Sequence, residues 1–361
     1  MVEAAESVVC LHATDPSTVY LSAWARTEEM AVADLDRALY ADRSLLKHLA
    51  MRRTLWVLPR ATVPFAQAGA SERVAGAERR RLIKEVEGAG VHRDGERWLE
   101  GASGDVLAAL AGGREATSTE LRAEIPSLEG SITYGEGKSW AGEMPLGPRV
   151  LNVLHAGGEI VRASNDGAWT ASRPRWASAE AWLGEEIPAP AAAEGTDRMV
   201  KLWLRAFGPG TEADIKWWLG STLRAVRAAL ASLEAVEVAI DGGTGYVMPG
   251  DLEPAEEVDP WAALLPSLDP TTMGWLERDW YLGGHKKQVF DSNGNAGPTV
   301  WWNGRIVGGW RQRDGGEVDV QLLEDAGAEA AGAIELEAAR LTDWLAGTRV
   351  LPRFPSPLFK S

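Results

Sequence analysis

The sequence has few of the residues that build disulfides, metal sites or membrane spans. It contains one cysteine, Cys10, and five histidines among 361 residues. A lone cysteine cannot form an internal disulfide, which suits a reducing compartment, and no two of these side chains lie at zinc-ligand spacing. No apolar run reaches the roughly 20 residues that cross a bilayer. We therefore expect neither a metal ion nor a membrane as a partner.

Motifs for common cofactors and nucleophiles are also missing. The glycine-containing segment at 291–298 lacks the strand, helix and lysine that a phosphate-binding loop requires. No Gly-x-Ser-x-Gly elbow is present, which argues against a serine hydrolase. The first residues are acidic and lack the basic and then apolar order of a signal peptide. We expect a cytoplasmic protein with no metal or organic cofactor.

The charge is strongly negative but unevenly distributed. Thirty-seven Lys and Arg against 52 Asp and Glu give a net charge of −15, which by itself argues against a nucleic-acid partner. Between Arg43 and Lys84, however, ten bases accompany two acids, whereas residues 234–259 hold eight acids and no base. The basic segment is either a surface for a polyanion or a solvated helix face.

A unit of helices closed by a β-hairpin recurs three times along the chain. A length of 361 residues, 45% of them hydrophobic, is enough for two or three globular units. Helical spacing precedes strand pairs at 45–59, 159–172 and 236–249, the last two around Asn165-Asp166-Gly167 and Asp241-Gly242-Gly243. Helices followed by a hairpin are the order of a winged helix. The alternative is an unspecific α+β chain.

The C-terminal part follows a different pattern. Asn303-Gly304 between apolar strands is the strongest hairpin signal in the sequence, because these residues accept the two positive φ angles of a type I′ turn. Further strands are predicted at 287–291, 318–323 and 349–352. A helix at 330–345, with an apolar stripe, is expected to close over them.

The predicted fold is α+β, with three tandem winged-helix units, a variant of the helix-turn-helix, and a C-terminal β-barrel-like element. The expected boundaries are 1–95 for the first winged helix with its connecting helices, 96–182 for the second, 183–195 for a linker rich in Pro and Ala, 196–250 for the third, and 251–361 for the barrel-like element.

The segment before the first helix carries polar side chains. Alternation places His12 and Thr14 on one side and Ala13 on the other. Asp15 or Thr14 is also suited to cap the helix that starts at Pro16. The segment is therefore a candidate site, with helix capping as the alternative.

Seventeen tryptophans are far more than ordinary usage, and some must be exposed. Most are expected in cores, but an exposed indole ring can stack on a nucleobase. Trp302, beside Arg305 at the hairpin tip, is the best candidate for such a contact.

Several long phrases resemble a known family. They are YLSAWAR at 20–26, MRRTLWVLP at 51–59, YGEGKSWAG at 134–142, GPGTEADIKWWLG at 208–220, LLPSLDPTTMG at 264–274, RDWYL at 278–282 and FDSNGNAGPTVWWNGRIVGGW at 290–310. They are similar to phrases of the bacterial winged-helix DNA-binding proteins that include the AlkZ/YcaQ-type DNA glycosylases.

This resemblance implies three tandem winged helices around duplex DNA, and removal of bulky alkylated purines, including the unhooking of interstrand crosslinks. The family's catalytic motif is Gln-apolar-Gln or Gln-apolar-Asp, and the matching positions here read His12-Ala13-Thr14. Both glutamines are replaced.

The replaced motif keeps groups that suit base excision. A purine alkylated on its imidazole ring is cationic and leaves readily, so the enzyme mainly places a water and stabilises an oxocarbenium-like sugar. We expect Thr14 to hold the water and His12 to orient it or accept its proton. Asp15 either faces the sugar cation or caps the helix.

Contacts to DNA phosphates are expected from basic residues in loops and hairpins rather than on long helices. The candidates for DNA contact are Arg52, Arg53, Lys138, Trp302, Arg305, Arg311 and Arg313. Arg79, Arg80 and Arg81 are a weaker set that suits a solvated helix face.

Two functions remain open from the sequence. The first is a monofunctional DNA glycosylase that acts as a monomer on damaged double-stranded DNA in the bacterial nucleoid. The alternative is a non-catalytic winged-helix protein that binds damaged DNA or regulates transcription. The polar character retained in the His-Ala-Thr motif favours the enzyme.

Overall fold

The computed structural model describes residues 1–134 and 142–359, a mixture of helices and strands. Contacts divide the chain into two compact units, each built from separate stretches of sequence. Unit 1 comprises Met1–Asp36, Trp169–Ala171 and Val200–Ser361, and unit 2 comprises Arg37–Ala168 and Ser172–Met199. The predicted boundaries of the three winged helices stay predictions.

The described residues form the following helices and strands. The α-helices are α1 Val2–Glu6, α2 Pro16–Trp24, α3 Val32–Asp36, α4 Val63–Ala66, α5 Glu72–Gly88, α6 Gly95–Ala109, α7 Ser118–Glu124, α8 Leu146–Gly157, α9 Ala179–Leu183, α10 Ala192–Phe207, α11 Glu212–Leu219, α12 Leu223–Ser232, α13 Asp279–Leu282, α14 Lys286–Val289 and α15 Gly327–Leu345. The strands are β1 Leu11–His12, β2 Leu45–Leu49, β3 Leu55–Pro59, β4 Ala116–Thr117, β5 Ser131–Tyr134, β6 Gly142–Pro145, β7 Ile160–Asn165, β8 Pro174–Ser178, β9 Val236–Ile240, β10 Gly243–Val247, β11 Ala262–Leu265, β12 Thr299–Trp302, β13 Arg305–Gln312 and β14 Val318–Leu322.

The main core of unit 2 lies between helices α5, α6 and α8 and the sheet β4-β8-β7. Leu82, Leu99, Val106 and Val150 are fully buried in it. Their spacing along each helix places them on one face, which is why these helices pack together rather than remain solvated. A capping box between Thr117 and Glu120 starts α7 at the edge of this core.

All three hairpins predicted after helices are present as antiparallel pairs, β2 with β3, β7 with β8 and β9 with β10. The second strand of the middle hairpin was wrong: it is β8, not residues 168–172. Trp169 packs instead on Tyr20 and Trp344 within unit 1. The Asn165 side chain accepts a hydrogen bond from Arg173 N at 2.7 Å, which closes a longer loop than the Asn-Asp-Gly signal indicated.

The middle helix of the third helical group starts as its sequence indicates. Thr211 and Asp214 form a capping box at the start of α11. The other carboxylate oxygen of the buried Asp214 accepts hydrogen bonds from the backbone N–H groups of Leu276 and Glu277, at 2.8 and 3.0 Å. A single residue therefore begins a helix and fixes a distant segment of unit 1.

The barrel-like C-terminal element was a wrong expectation. Residues 262–322 form an open four-stranded sheet in the order β11-β12-β13-β14, and among the described residues β11 and β14 do not pair to close it. The segment predicted as a strand at 287–291 instead contains the short helix α14, and 349–352 carries no strand. Helix α15 packs against β11, β12 and β14. The sheet is therefore covered by a helix, whereas a barrel would be closed by further strands.

The Asn303-Gly304 turn of this sheet is confirmed. Asn303 has a φ of 45° and Gly304 a φ of 79°, the left-handed region that this turn requires at both positions. None of the described helices combines the length and the apolar character needed to span a bilayer.

Two buried histidines lie side by side in unit 2. The rings of His48, on β2, and His155, on α8, are 5.9 Å apart, and Nε2 of His155 lies 3.1 Å from the carbonyl oxygen of Lys47. Burial lowers the pKa of His48 to about 4, and burial followed by the charge of Arg162 holds the pKa of His155 well below its ordinary value. Both rings are therefore neutral in the folded protein near neutral pH.

Because of the buried pair of His48 and His155, we expect the folded protein to lose stability in weak acid. In the unfolded chain both histidines take up a proton near pH 6.5, whereas the folded chain resists it. Their contribution is thus complete above about pH 6.5 and is lost as the pH falls toward 4, by up to about 1.4 kcal/mol per pH unit for each group. The melting temperatures of wild type and His48→Gln are measured from pH 7.5 to 4.5. The difference between the two should be smaller at pH 4.5 than at pH 7.5. Parallel curves would contradict the prediction, and the exposed His92→Gln is the control.

Candidate functional site

The His-Ala-Thr motif lies in unit 1 between strand β1 and helix α2. His12 ends β1 and is 4% exposed, while Thr14 is half-buried in the turn that follows. The backbone N–H of Thr14 lies 3.4 Å from Nδ1 of His12 and donates to it. The turn thus brings the imidazole of His12 next to the backbone of residue 14, and the predicted shared side for the His12 and Thr14 side chains stays a prediction.

Asp15 is the N-cap of α2. Its Oδ1 accepts hydrogen bonds from Ser17 N at 3.1 Å and Ser17 Oγ at 2.7 Å. Its Oδ2 accepts from the backbone N–H of Arg353 at 2.8 Å, and the residue is 3% exposed. Of the two orientations open from the sequence, the structure contains the capping one.

Helix α2 is fixed in unit 1 by a buried polar network that the sequence analysis missed. Ser22 Oγ donates to Asp269 at 2.6 Å, and Arg26 grips the two oxygens of the same carboxylate at 2.9 and 2.7 Å. Thr18 Oγ1 donates to the carbonyl oxygen of Ser267 at 2.7 Å. These contacts join the YLSAWAR and LLPSLDPTTMG phrases. The only signal in the sequence was an unexplained Arg and Asp within them.

The contact at His12 fits one tautomer. A neutral ring that accepts the N–H of Thr14 at Nδ1 would carry its proton on Nε2 and would donate a hydrogen bond there. Such a ring suits a residue that orients a water or a substrate atom.

Two of the predicted DNA-contact residues form the tip of the β2–β3 hairpin. Arg52 and Arg53 are both exposed and both have positive φ angles, 56° and 58°. Arg53 also pairs with the buried Glu78 at 3.0 Å. Both arginines thus lie exposed at the tip of the hairpin, which is the placement expected of a wing that contacts phosphates, although the guanidinium of Arg53 is engaged by Glu78.

The predicted contacts near the C-terminal sheet already have acidic neighbours. Arg311 and Arg313 both pair with Asp319, at 3.1 and 2.6 Å, and Arg305 lies 3.9 Å from Glu324. These three arginines are exposed, so the pairs contribute little to stability and their side chains can exchange partners.

The remaining candidates for DNA contact differ in their exposure and in their ion pairs. Trp302 is half-buried beside the hairpin tip, and Lys138 lies outside the described residues. Arg79 pairs with Glu96 and Glu100, which fits the solvated helix face. Of the described tryptophans, Trp261 and Trp280 are the exposed ones, at 41% and 61%. Neither of these two tryptophans was predicted from the sequence to contact DNA.

The geometry at Asp15 predicts a structural role that needs both of its acceptor oxygens. Asp15→Ala removes the cap of α2 and the partner of Arg353 N, so it should lower the free energy of unfolding by about 1–2 kcal/mol. Asp15→Asn keeps one acceptor oxygen for the N-cap but sets its amide NH2 against the N–H of Arg353, so it should lose about 1 kcal/mol of stability while its DNA-processing activity remains near wild type. A folded Asp15→Asn protein that is inactive would contradict this role.

Comparisons with known proteins agree on one family. A family model described as DNA glycosylase AlkZ-like matches residues 5–344. Among solved structures, Streptomyces sahachiroi DNA glycosylase AlkZ is similar in fold, with a TM-score of 0.72 and 22% sequence identity over 97% of this chain and 92% of that one. No curated protein matches. Since the family model spans nearly the whole chain, this protein belongs to the AlkZ-like DNA glycosylase family.

Proposed function

We propose that the protein is a monofunctional DNA glycosylase that hydrolyses the N-glycosidic bond of bulky cationic alkylpurines in duplex DNA, interstrand crosslinks included. The observation that carries the proposal is the turn at residues 12–15. It holds the imidazole of His12 against the backbone N–H of Thr14 just before a capped, anchored helix, and these residues are the ones that match the family's catalytic motif in the sequence.

Hydrolysis of this N-glycosidic bond needs no strong acid or base from the protein. A purine alkylated on its imidazole ring already carries a positive charge, and it departs as a neutral base without a strong general acid. The sugar left behind resembles an oxocarbenium ion, which a weak nucleophile such as water attacks at the anomeric carbon. The main requirement is a water held on the correct face of the sugar.

His12 and Thr14 meet that requirement in different ways. The Nε2–H group of His12 donates to the oxygen of the attacking water, and the Thr14 hydroxyl accepts one of its hydrogens. The water's proton passes to solvent once the C–O bond has formed. Asp15 acts as a positioning residue, because its carboxylate is occupied by Ser17 and Arg353.

Duplex DNA is the proposed partner of the exposed arginines. Arg52 and Arg53 contact phosphates from the first hairpin, and Arg305, Arg311 and Arg313 do so near the C-terminal sheet after giving up their acidic neighbours. Trp302 and Lys138 complete the proposed contact set, and the protein acts as a monomer.

One observation favours the alternative, a non-catalytic damage binder. His12 is nearly buried, so its imidazole reaches a substrate only where the sugar enters the protein closely. A chain that had lost catalysis would keep its DNA contacts and its anchored helix while processing no adduct.

Base excision should depend on the His12 donor. We expect His12→Ala to slow release of 7-methylguanine from a duplex oligonucleotide on the order of 100-fold, because it removes the group that orients the water. His12→Gln retains an amide N–H near the Nε2 position and should keep most of the activity. Strand cleavage after mild alkali, resolved on a denaturing gel, measures release.

The control is His92→Ala, which removes an exposed histidine of unit 2 and should leave excision unchanged. Equal rates of 7-methylguanine release for wild type and a folded His12→Ala protein would contradict the assignment of the site to His12. No cleavage by wild type, on this adduct and on a bulkier one, together with tight duplex binding, would favour the damage binder.

Duplex binding should depend on Arg52. If Arg52 neutralises one phosphate, Arg52→Ala weakens binding to all sequences and reduces the slope of log K against log salt concentration by about 0.9. Fluorescence anisotropy at a series of salt concentrations gives the slope. The matched variant is Arg81→Ala, whose guanidinium pairs with Glu85 on the helix face. A slope unchanged in Arg52→Ala would remove this residue from the interface.

A further inference from the structure

Unit 2 contains a cavity beside the β4-β8-β7 sheet that the glycosylase site does not use. It has a volume of about 580 Å³ and is bounded by the start of α7, one face of α8 and the strands β7 and β8. Its floor includes the buried ring of Trp176 and the aliphatic side chains of Pro148, Leu151 and Pro174. The cavity is open to solvent on one side, so a molecule can enter it.

Arg162 brings an uncompensated positive charge to this cavity. Its guanidinium lies 5.1 Å from the ring centre of Trp176, and its Nε atom is buried with no hydrogen-bond partner among the described residues. The one hydrogen bond it donates within residues 1–134 and 142–359 goes to Ser172 Oγ, at a long 3.4 Å. In the same part of the chain no carboxylate lies within 4.0 Å of it.

Arg162 is half-buried, since its Nε is enclosed while its contact with Ser172 lies on the exposed side of the cavity. A charge at the edge of an apolar site with no carboxylate beside it among the described residues is available to an anion. Burial lowers the pKa of Arg162 to about 10, yet the group remains charged at neutral pH. A neighbouring arginine of the same sheet, Arg175, shows the contrast, because it pairs with Glu120 and Asp166 at 2.9 and 3.0 Å.

The rest of the lining suits an anion. Arg173 is exposed at the rim and has no ion pair among the described residues. Side chains that can donate hydrogen bonds surround the cavity: Ser118, Thr119, Asn152 and Ser172. The single acid, Asp166, is held by Arg175, which offsets its charge.

We infer that this cavity binds a phosphoryl group, gripped by Arg162 and Arg173 and completed by the hydroxyl and amide donors around them. A planar guanidinium donates two parallel hydrogen bonds to phosphate oxygens, and the site offers such a fork with no competing carboxylate. The group comes from one of two sources, a free phosphorylated small molecule or a phosphodiester of bound DNA. The second source rests on the proposed DNA binding, whereas the first does not.

The test uses the full chain and inorganic phosphate as the probe. Phosphate should raise the melting temperature of wild type, and Arg162→Met should bind phosphate at least tenfold more weakly in a calorimetric titration. Because Arg162 has no ion-pair partner among the described residues, the variant should itself be close to wild type in stability. Arg114→Met removes an arginine that pairs with Glu124 outside the cavity, and it should bind phosphate like wild type.

A second arm separates the two sources. The salt dependence of duplex binding is measured for wild type and Arg162→Met. A slope reduced by about 0.9 assigns the site to a DNA phosphodiester, and an unchanged slope with lost phosphate binding assigns it to a free ligand. Base excision on a methylated duplex is assayed in parallel, so that inactivity of the enzyme is distinguished from absence of the anion site.

The inference is overturned if phosphate binding and the salt slope of Arg162→Met both equal those of wild type, or if wild type shows no phosphate binding and the variant no change in slope. Should Arg162→Met fail to fold, the exposed Arg173→Met replaces it. That variant should weaken phosphate binding about threefold or lower the salt slope, and no change in either measurement overturns the inference.

Discussion

The buried ion pair between Arg26 and Asp269 anchors the part of unit 1 that carries the candidate site. Asp269 has no exposed side-chain surface and Arg26 little, so loss of either partner would leave a buried charge, at a cost of about 3–5 kcal/mol. The pair sets where α2 ends, and Asp15 sets where it begins. The turn with His12 and Thr14 therefore leads into a helix that is held at both ends, which is the preorganisation that water placement requires.

The ionisable side chains of the two units have different surroundings. In unit 1 the buried carboxylates of Asp15, Asp214 and Asp269 all accept hydrogen bonds from backbone or side-chain donors, so each fixes a distant segment. In unit 2 the neutral ring of His155 and the guanidinium of Arg162 both contact the ring of Trp176. The first arrangement holds structure together, whereas the second leaves the charge of Arg162 without an ion-pair partner among the described residues.

Local signals in the sequence predicted local structure well. The capping box at Thr211, the left-handed turn at Asn303-Gly304 and the three hairpins are confirmed because each depends on residues within a few positions of one another. The predicted strand at 168–172 and the barrel failed for the opposite reason. Trp169 is drawn into packing with Trp344, and α15 covers the C-terminal sheet; neither contact is visible in a short window of sequence.

By itself, the sequence determined the family, through phrases spread over most of the chain, and it placed His12, Ala13 and Thr14 just before the first of those phrases. Only the tertiary structure decided which of two roles Asp15 takes. Both were chemically available to a carboxylate before a helix, and the backbone N–H of Arg353, 338 residues away, occupies the second oxygen. The same holds for Arg162, since only the placement of its neighbours shows that no carboxylate of the described residues pairs with it.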